Sequence, residues 1–266
     1  MIQGRGAAGP AAREGDMMRA PMGRRLATTA ALALAAVAAA GCSRTSRMDA
    51  RCIAGDVAVC TELGDMYATG RGVPRDLGQA ARAYDRACSG GATDVCATLG
   101  EIVEQADSAE GGLPRAEQLY AKACGGGSSR GCLDLGRVAA LRGDLSQAVS
   151  LYERSCSGGW APGCYDLAVS YRNGDGVAKD LPKALALYQE ACDAEHAESC
   201  IAAGDLYLGE DPPVAHDLAA ATRMYGRALD IYKQACDAGS QPDCTEQDRM
   251  RSRLALIRAG KELTVK

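Results

Sequence analysis

Twelve of the cysteines stand in six pairs of one spacing, C-x7-C: Cys52 and Cys60, Cys88 and Cys96, Cys124 and Cys132, Cys156 and Cys164, Cys192 and Cys200, Cys236 and Cys244. Successive pairs begin 36, 36, 32, 36 and 44 residues apart, a period in the range of helical repeats. Whatever the chain folds into must place one local structure six times along an array. Metal ligation, redox exchange, a reactive thiol and a structural staple are all open to two cysteines at this spacing.

Laying the repeats over one another shows what the positions between the cysteines do. After the second cysteine of each of the first five pairs come TELGDMY, ATLGEIV, LDLGRVA, YDLAVSY and IAAGDLY. Counting from that cysteine, apolar residues fall at +3 and +7 (Leu63 and Tyr67, Leu99 and Val103, Leu135 and Ala139, Leu167 and Tyr171, Ala203 and Tyr207), which is one face of a helix, helix A. Position +4 is small throughout: Gly64, Gly100, Gly136, Ala168, Gly204. A glycine inside a helix costs about 1 kcal/mol relative to alanine, so its recurrence predicts a second helix packed too close for a side chain. A turn follows, clearest in TGRGVPRD and NGDGVAKD. A second helical run, helix B, then ends at the next cysteine: QAARAYDRAC, RAEQLYAKAC, QAVSLYERSC, KALALYQEAC. Its apolar residues (Ala80, Tyr84, Ala87; Ala184, Tyr188, Ala191) again share one face. Neither helix buries its stripe alone, so the fold class is all-α, a solenoid of tetratricopeptide-like helix–turn–helix repeats.

Two repeats depart from the period. In the third, Gly136 to Asp144 is 8 residues where Gly64 to Asp76 is 12, so the A–B turn is four short. In the fifth, helix B carries seven extra residues, GRALDIY, after Tyr225. Seven residues are nearly two turns, which keeps the packing face in register and predicts a lengthened helix projecting beyond the stack. The segment TEQDRMRSRLALIRAG is a more polar last helix, the cap such an array requires. The absence of phenylalanine and the abundance of small residues fit many closely packed helices better than one bulky core.

Near the start, MGRRLATTAALALAAVAAAGCS (Met22 to Ser43) has the order of an export signal: basic Arg24 and Arg25, an apolar stretch, then small residues. The apolar stretch, Leu26 to Ala40, is too short for a comfortable membrane span. Its end, AAGC, resembles a bacterial lipobox, which implies cleavage before Cys42 and a lipid on that cysteine. Residues 1–41 are therefore expected to be a signal peptide, with 1–21 an upstream extension, and 42–51 a lipidated linker. Residues 52–244 hold about five repeats and 245–266 the capping helix and tail. The expected location is the periplasm or outer membrane, less readily a secreted form. Loss of residues 1–41 removes five arginines and two acids, leaving 25 basic against 32 acidic residues. That balance speaks against nucleic acid as a partner.

Catalytic and metal chemistry finds little support. The chain has only two histidines, His196 and His216, both expected in exposed loops, and tight C-x2–4-C zinc knuckles are absent. Thioredoxin-like exchange requires C-x-x-C, which is also missing. GSSRG (Gly127 to Gly131) matches G-x-S-x-G formally but lies between helices, where a nucleophile elbow has no place. S-x-x-K, K-T-G and S-D-N do not occur. No cofactor, metal or catalytic residue is expected.

The run C-x2-LG-x2-Y-x2-G-x-GV-x2-D-x3-A-x3-Y-x2-AC, Cys60 to Cys88, resembles the Sel-one-like repeat, in the form found in the Helicobacter cysteine-rich proteins. The resemblance covers residues 52 to about 250. It implies that each pair of cysteines forms a disulfide from helix B of one repeat to helix A of the next, one per junction. It also implies a protein-interaction scaffold, since members of the family serve mostly in that way. The alternative is binding or weak hydrolysis of β-lactams or peptidoglycan fragments, described for some cysteine-rich members.

For a scaffold, the partner surface is sought on helix A, which in solenoids lines the concave side. Positions +2 and +5 are helical neighbours and include Glu62, Asp65, Glu101, Asp134, Asp166 and Asp205, an interrupted acidic ridge suited to a basic protein partner. Trp160, the sole tryptophan, is either an anchor for that partner or a cover over its own cysteine pair.

Overall fold

The computed structural model describes residues 44–106, 112–209, 214 and 216–259. The expected signal peptide and the lipidation site at Cys42 lie outside the described residues. The array belongs to the unit Arg47–Lys266. Every regular element among the described residues is a helix. Residues 44–53 form α1. There follow α2 (Val57–Thr69), α3 (Leu77–Ser89), α4 (Thr93–Ala106), α5 (Gly112–Gly125), α6 (Ser129–Leu141) and α7 (Leu145–Ser157). The chain continues with α8 (Ala161–Asn173), α9 (Leu181–Asp193), α10 (Ala197–Leu208), α11 (Leu218–Asp237) and α12 (Gln241–Arg258). Even-numbered helices are helix A of each repeat and odd-numbered helices are helix B, and each packs chiefly on its neighbours in sequence.

The boundaries follow local chemistry. Asp76, Asp180 and Asp217 cap α3, α9 and α11, each side chain accepting the backbone N–H three residues on. Gly70 and Gly174 end α2 and α8 in the left-handed region, at φ 75° and 85°, where glycine is nearly free of steric cost.

The small +4 position explains the intra-repeat packing. A Cβ on Gly64 would lie 2.3 Å from the Tyr84 ring; on Gly100, 2.4 Å from Tyr120; on Gly136, 2.6 Å from Tyr152; on Gly204, 2.8 Å from Tyr225. The helix that excludes a side chain is therefore helix B of the same repeat, and its tyrosine is what fills the space. Tyr84, Tyr120, Tyr188 and Tyr225 are all essentially buried.

Six disulfides close the seams: Cys52–Cys60, Cys88–Cys96, Cys124–Cys132, Cys156–Cys164, Cys192–Cys200 and Cys236–Cys244, with Cα–Cα distances of 4.4–4.9 Å. Each joins the end of one helix B to the first turn of the next helix A. All twelve sulfurs are bonded in these six pairs.

The lengthened helix B does not project bare. α11 has 20 residues where α3, α7 and α9 have 13. Tyr225 and Tyr232, seven residues apart, are both buried, together with Met250, Leu254 and Ile257 of α12. The last helix A is itself lengthened, to 18 residues, and covers the added turns. No helix among the described residues is long and apolar enough to cross a membrane.

Candidate functional site

Positions +2 and +5 turn out to meet across repeats rather than only along one helix. Arg137, at +5 of the third repeat, donates to Asp166, at +2 of the fourth, at 2.7 Å. At the last junction Asp205 (+5) pairs with Arg253 of α12. Arg253 is nine residues beyond Cys244, seven past the regular +2 slot, a shift equal to the two turns by which the lengthened α11 carries the seam outward. Between the fourth and fifth repeats both slots are apolar, half-buried Val169 and buried Ala202, in one hydrophobic cluster. Between the second and third the rung is Glu101 facing Asp134, two acids. Arg130, one turn earlier on the same helix region, reaches in and donates from Nε to Glu101 at 3.1 Å.

That rung is strained electrostatically. Burial first, and then the charge of Glu101, push the Asp134 carboxyl up to about 6. Arg130 and Arg137 pull the other way without restoring it. One carboxylate oxygen of Asp134 is buried without a hydrogen-bond partner.

The +5 slot also serves the packing tyrosines. The Tyr84 hydroxyl donates to Asp65 at 2.7 Å and the Tyr225 hydroxyl to Asp205 at 2.5 Å. Tyr120 instead uses Glu104, at 2.8 Å, because Glu101 holds Arg130. In the fourth repeat +5 is Val169, and the buried Tyr188 hydroxyl has no partner among the described residues. Burial and, where present, the neighbouring carboxylate raise the phenols of Tyr84, Tyr120 and Tyr225.

The acids expected as a partner surface are thus largely internal. Asp65, Glu101, Asp166 and Asp205 each bind a tyrosine or an arginine of the array, and Asp134 is half-buried. Glu62 is the exposed member of the ridge. Single-helix spacing hid the cross-repeat pairs; aligning the +5 slot of one repeat with the +2 slot of the next is the signal that finds Arg137 with Asp166. Arg130 and Glu104 lie outside both slots and carry no such signal.

Trp160 stands at the N-cap of α8 and makes no capping hydrogen bond. It is 38% exposed, and the helix-cap slot that holds Asp56 and Ser128 in sister repeats holds an aromatic side chain here. His196 occupies the same slot of α10 and corrects the expectation of an exposed loop residue. Its ring lies 5.3 Å from that of Tyr165, and its Nδ1 is 2.8 Å from Ser199 Oγ, leaving the side chain 20% exposed. Burial pushes the His196 imidazole down, against the charge of Glu198. His216 is exposed, as expected. In GSSRG, Ser128 is the buried N-cap of α6 and Ser129 Oγ donates to the Gly158 carbonyl at 3.2 Å. Both hydroxyls are used structurally, in a loop between helices.

Four segments, residues 57–91, 131–160, 161–196 and 225–240, match the family model described as Sel1 repeat. No curated protein matches the chain by sequence. Among solved structures, the chain is similar to a protective antigen of uropathogenic Escherichia coli with an SLR fold, at 20% identity and TM-score 0.62, covering 79% of this chain and 48% of that one. It therefore spans about half the length of that protein. It is also similar to a Sel1 repeat protein from Oxalobacter formigenes, at 21% identity and TM-score 0.60, covering 76% and 88% of the two chains. Cysteine-rich protein B of Helicobacter pylori aligns at 25% identity and TM-score 0.38, over 47% of this chain and 93% of that one. Sel1 repeats are associated with scaffolds for protein–protein interaction. With its helix pairs and a disulfide at every seam, the chain is a helical solenoid, and four of its segments match the Sel1 repeat.

Proposed function

We propose that the chain is an exported scaffold that gathers protein partners in the bacterial cell envelope, held there by a lipid on Cys42. The observation that carries this reading is the set of six seam disulfides, which lock consecutive repeats into one fixed array of surface side chains. A surface held in place loses little conformational freedom when a partner docks, which favours binding. Disulfides in this number belong to oxidising compartments, which agrees with the leader that ends at Cys42. The partner surface takes in Glu62, the ridge acid that reaches solvent, and Trp160 as an exposed aromatic anchor, while Asp65, Glu101, Asp134, Asp166 and Asp205 lie half-buried behind it.

The test is crosslinking and affinity capture from envelope membranes with the wild type, Glu62→Gln and Trp160→Ala. Glu62 is exposed and Trp160 is 38% exposed, so the melting temperature of each variant is measured beside its capture, to separate lost binding from lost stability. Specific partners that are lost in either variant support the reading. Absence of any specific partner with the oxidised wild type overturns it. Intact-mass analysis of the membrane-extracted protein tests the anchor separately, through the added mass of a lipid on Cys42.

A further inference from the structure

Position +6 of helix A is a bulky apolar residue in four of five repeats: Met66, Ile102, Val138 and Leu206. In the fourth it is Ser170, whose hydroxyl turns back to the Asp166 carbonyl at 3.1 Å. At the first junction the equivalent space is full, because Ile102 packs there with Ala80, Tyr84 and Leu99. At the junction of the third and fourth repeats the same surroundings enclose a groove of about 230 Å³, lined by Ala140, Leu145, Ala148, Tyr152, Val169 and Ser170, with Asp166 and Asp175 at its edge.

The groove is bordered by the short A–B turn of the third repeat and by the turn of the fourth, whose Gly176 lies against the Leu145 backbone. In the first and fourth repeats the long turn returns a valine, Val73 or Val177, onto its own helix pair. The third repeat lacks that segment. Leu145 is 37% exposed, against 4% for Leu181 and 47% for Leu218 at the same position, and Leu141 beside it is 75% exposed. Around these leucines stand Asp144, which makes no side-chain cap bond, and Asp175, which accepts only from the Asn173 amide at 3.0 Å. Neither has a cationic partner among the described residues. The nearby cations are engaged: Arg137 with Asp166, Arg142 with Glu117. An apolar slot with a net acidic rim is complementary to an aliphatic side chain next to a positive charge.

We propose that this groove binds a polypeptide segment of a protein partner, taking up one aliphatic side chain in the place that Ile102 fills at the first junction, with an adjacent lysine or arginine against Asp144 and Asp175. The proposal rests on the scaffold reading and adds the chemistry of what is bound. It also accounts for two departures from the repeat pattern, Ser170 and the shortened turn, that coincide at one junction.

The test uses the oxidised full chain and three fluorescein-labelled peptides: acetyl-Gly-Lys-Leu-Lys-Gly-amide, the same peptide with glutamate for both lysines, and the same peptide with serine for leucine. Fluorescence anisotropy is expected to show binding of the first peptide, with the other two weaker by about tenfold or more, as loss of one apolar side chain or of charge complementarity dictates. Ser170→Ile fills the groove with the residue of the second repeat. It is expected to weaken binding of the first peptide by about tenfold or more while leaving thermal stability equal or higher. The double variant Asp144→Asn with Asp175→Asn is expected to weaken that peptide by several-fold and to flatten its salt dependence. Equal binding by wild type and Ser170→Ile, equal binding of all three peptides, or no binding of the first at millimolar concentration would each overturn the proposal. If membrane capture still succeeds in those cases, the groove is wrong and the scaffold stands; if the wild type captures nothing, the scaffold itself fails.

Discussion

Arg137 on α6 holds Asp166 on α8 at 2.7 Å, and one repeat earlier the same two slots carry Glu101 and Asp134. A single geometry therefore hosts an ion pair at one junction and a like-charge contact at the next. Identical backbone with different charges makes each rung an internal control for the other.

The acid rung predicts a pH dependence. Asp134 has a folded pKa raised to about 6, above its unfolded value near 3.8, so the folded state binds more protons in between. Stability contributed by this group falls as pH rises from about 4 to about 6 and is lowest above that window. Asp134→Asn is expected to stabilise the protein at pH 7.5 by about 1 kcal/mol, a figure reduced for the group's partial exposure. The gain should vanish at pH 4. Urea denaturation of both proteins at the two pH values measures it.

Glycine-to-alanine changes should have opposite signs at two helical sites. At Gly226 in α11 an added methyl would find nothing within 4 Å, so Gly226→Ala should stabilise by about 0.5–1 kcal/mol through helix propensity. At Gly64 the same methyl would lie 2.3 Å from the Tyr84 ring, and Gly64→Ala should destabilise by about 1–3 kcal/mol through overpacking. Melting temperatures of the two variants are sufficient to decide.

Tyrosine-to-phenylalanine changes separate satisfied from unsatisfied hydroxyls. Tyr188→Phe removes a buried, unpaired hydroxyl and should be neutral or stabilising by up to about 1 kcal/mol. Tyr84→Phe deprives Asp65 of its donor and should cost about 1 kcal/mol. If both variants lose stability equally, the role assigned to the +5 slot is wrong.

Trp160→Ser tests stability against binding. Serine at the N-cap can share the Gly163 N–H, which already donates to the Trp160 carbonyl at 2.9 Å, so the variant should gain at most about 0.5 kcal/mol from the cap. Capture of partners should fall at the same time. A variant that is less stable and binds as before would show that the tryptophan serves the fold.

Removing the second seam, by Cys88→Ser with Cys96→Ser, should cost about 2–3 kcal/mol on the chain-entropy account of so short a loop. In an array coupled only through neighbours, the loss should also broaden or split the thermal transition, which calorimetry detects.

The repeat period, the helix pair and the glycine slot were legible because each recurs and each answers to a local rule. Gly64 predicted a close helix, and Tyr84 supplies it. What recurrence could not show is any contact whose two ends change identity from repeat to repeat. Arg137–Asp166 and Glu101–Asp134 share one geometry and no chemistry, so periodicity averages them away. Asp65 and Asp205 looked like surface acids because their tyrosine donors sit 19 and 20 residues further along. His196 read as a loop residue since histidine is an unusual cap; its burial comes from Tyr165 on the preceding helix A.

The insertion in α11 has a wider consequence. Seven residues advance a helix by about 10.5 Å and return it to within about 20° of its starting phase. Cys236 therefore still faces Cys244, Tyr232 repeats the placement of Tyr225, and Arg253 lands opposite Asp205. An insertion of five residues would have turned everything after it by about 140° and carried the Cys236–Cys244 seam away from the face that packs on the array. In such a chain helices keep their packing face only when they grow by nearly whole turns, as seven or eleven residues do to within about 20°, and the seam moves outward with them.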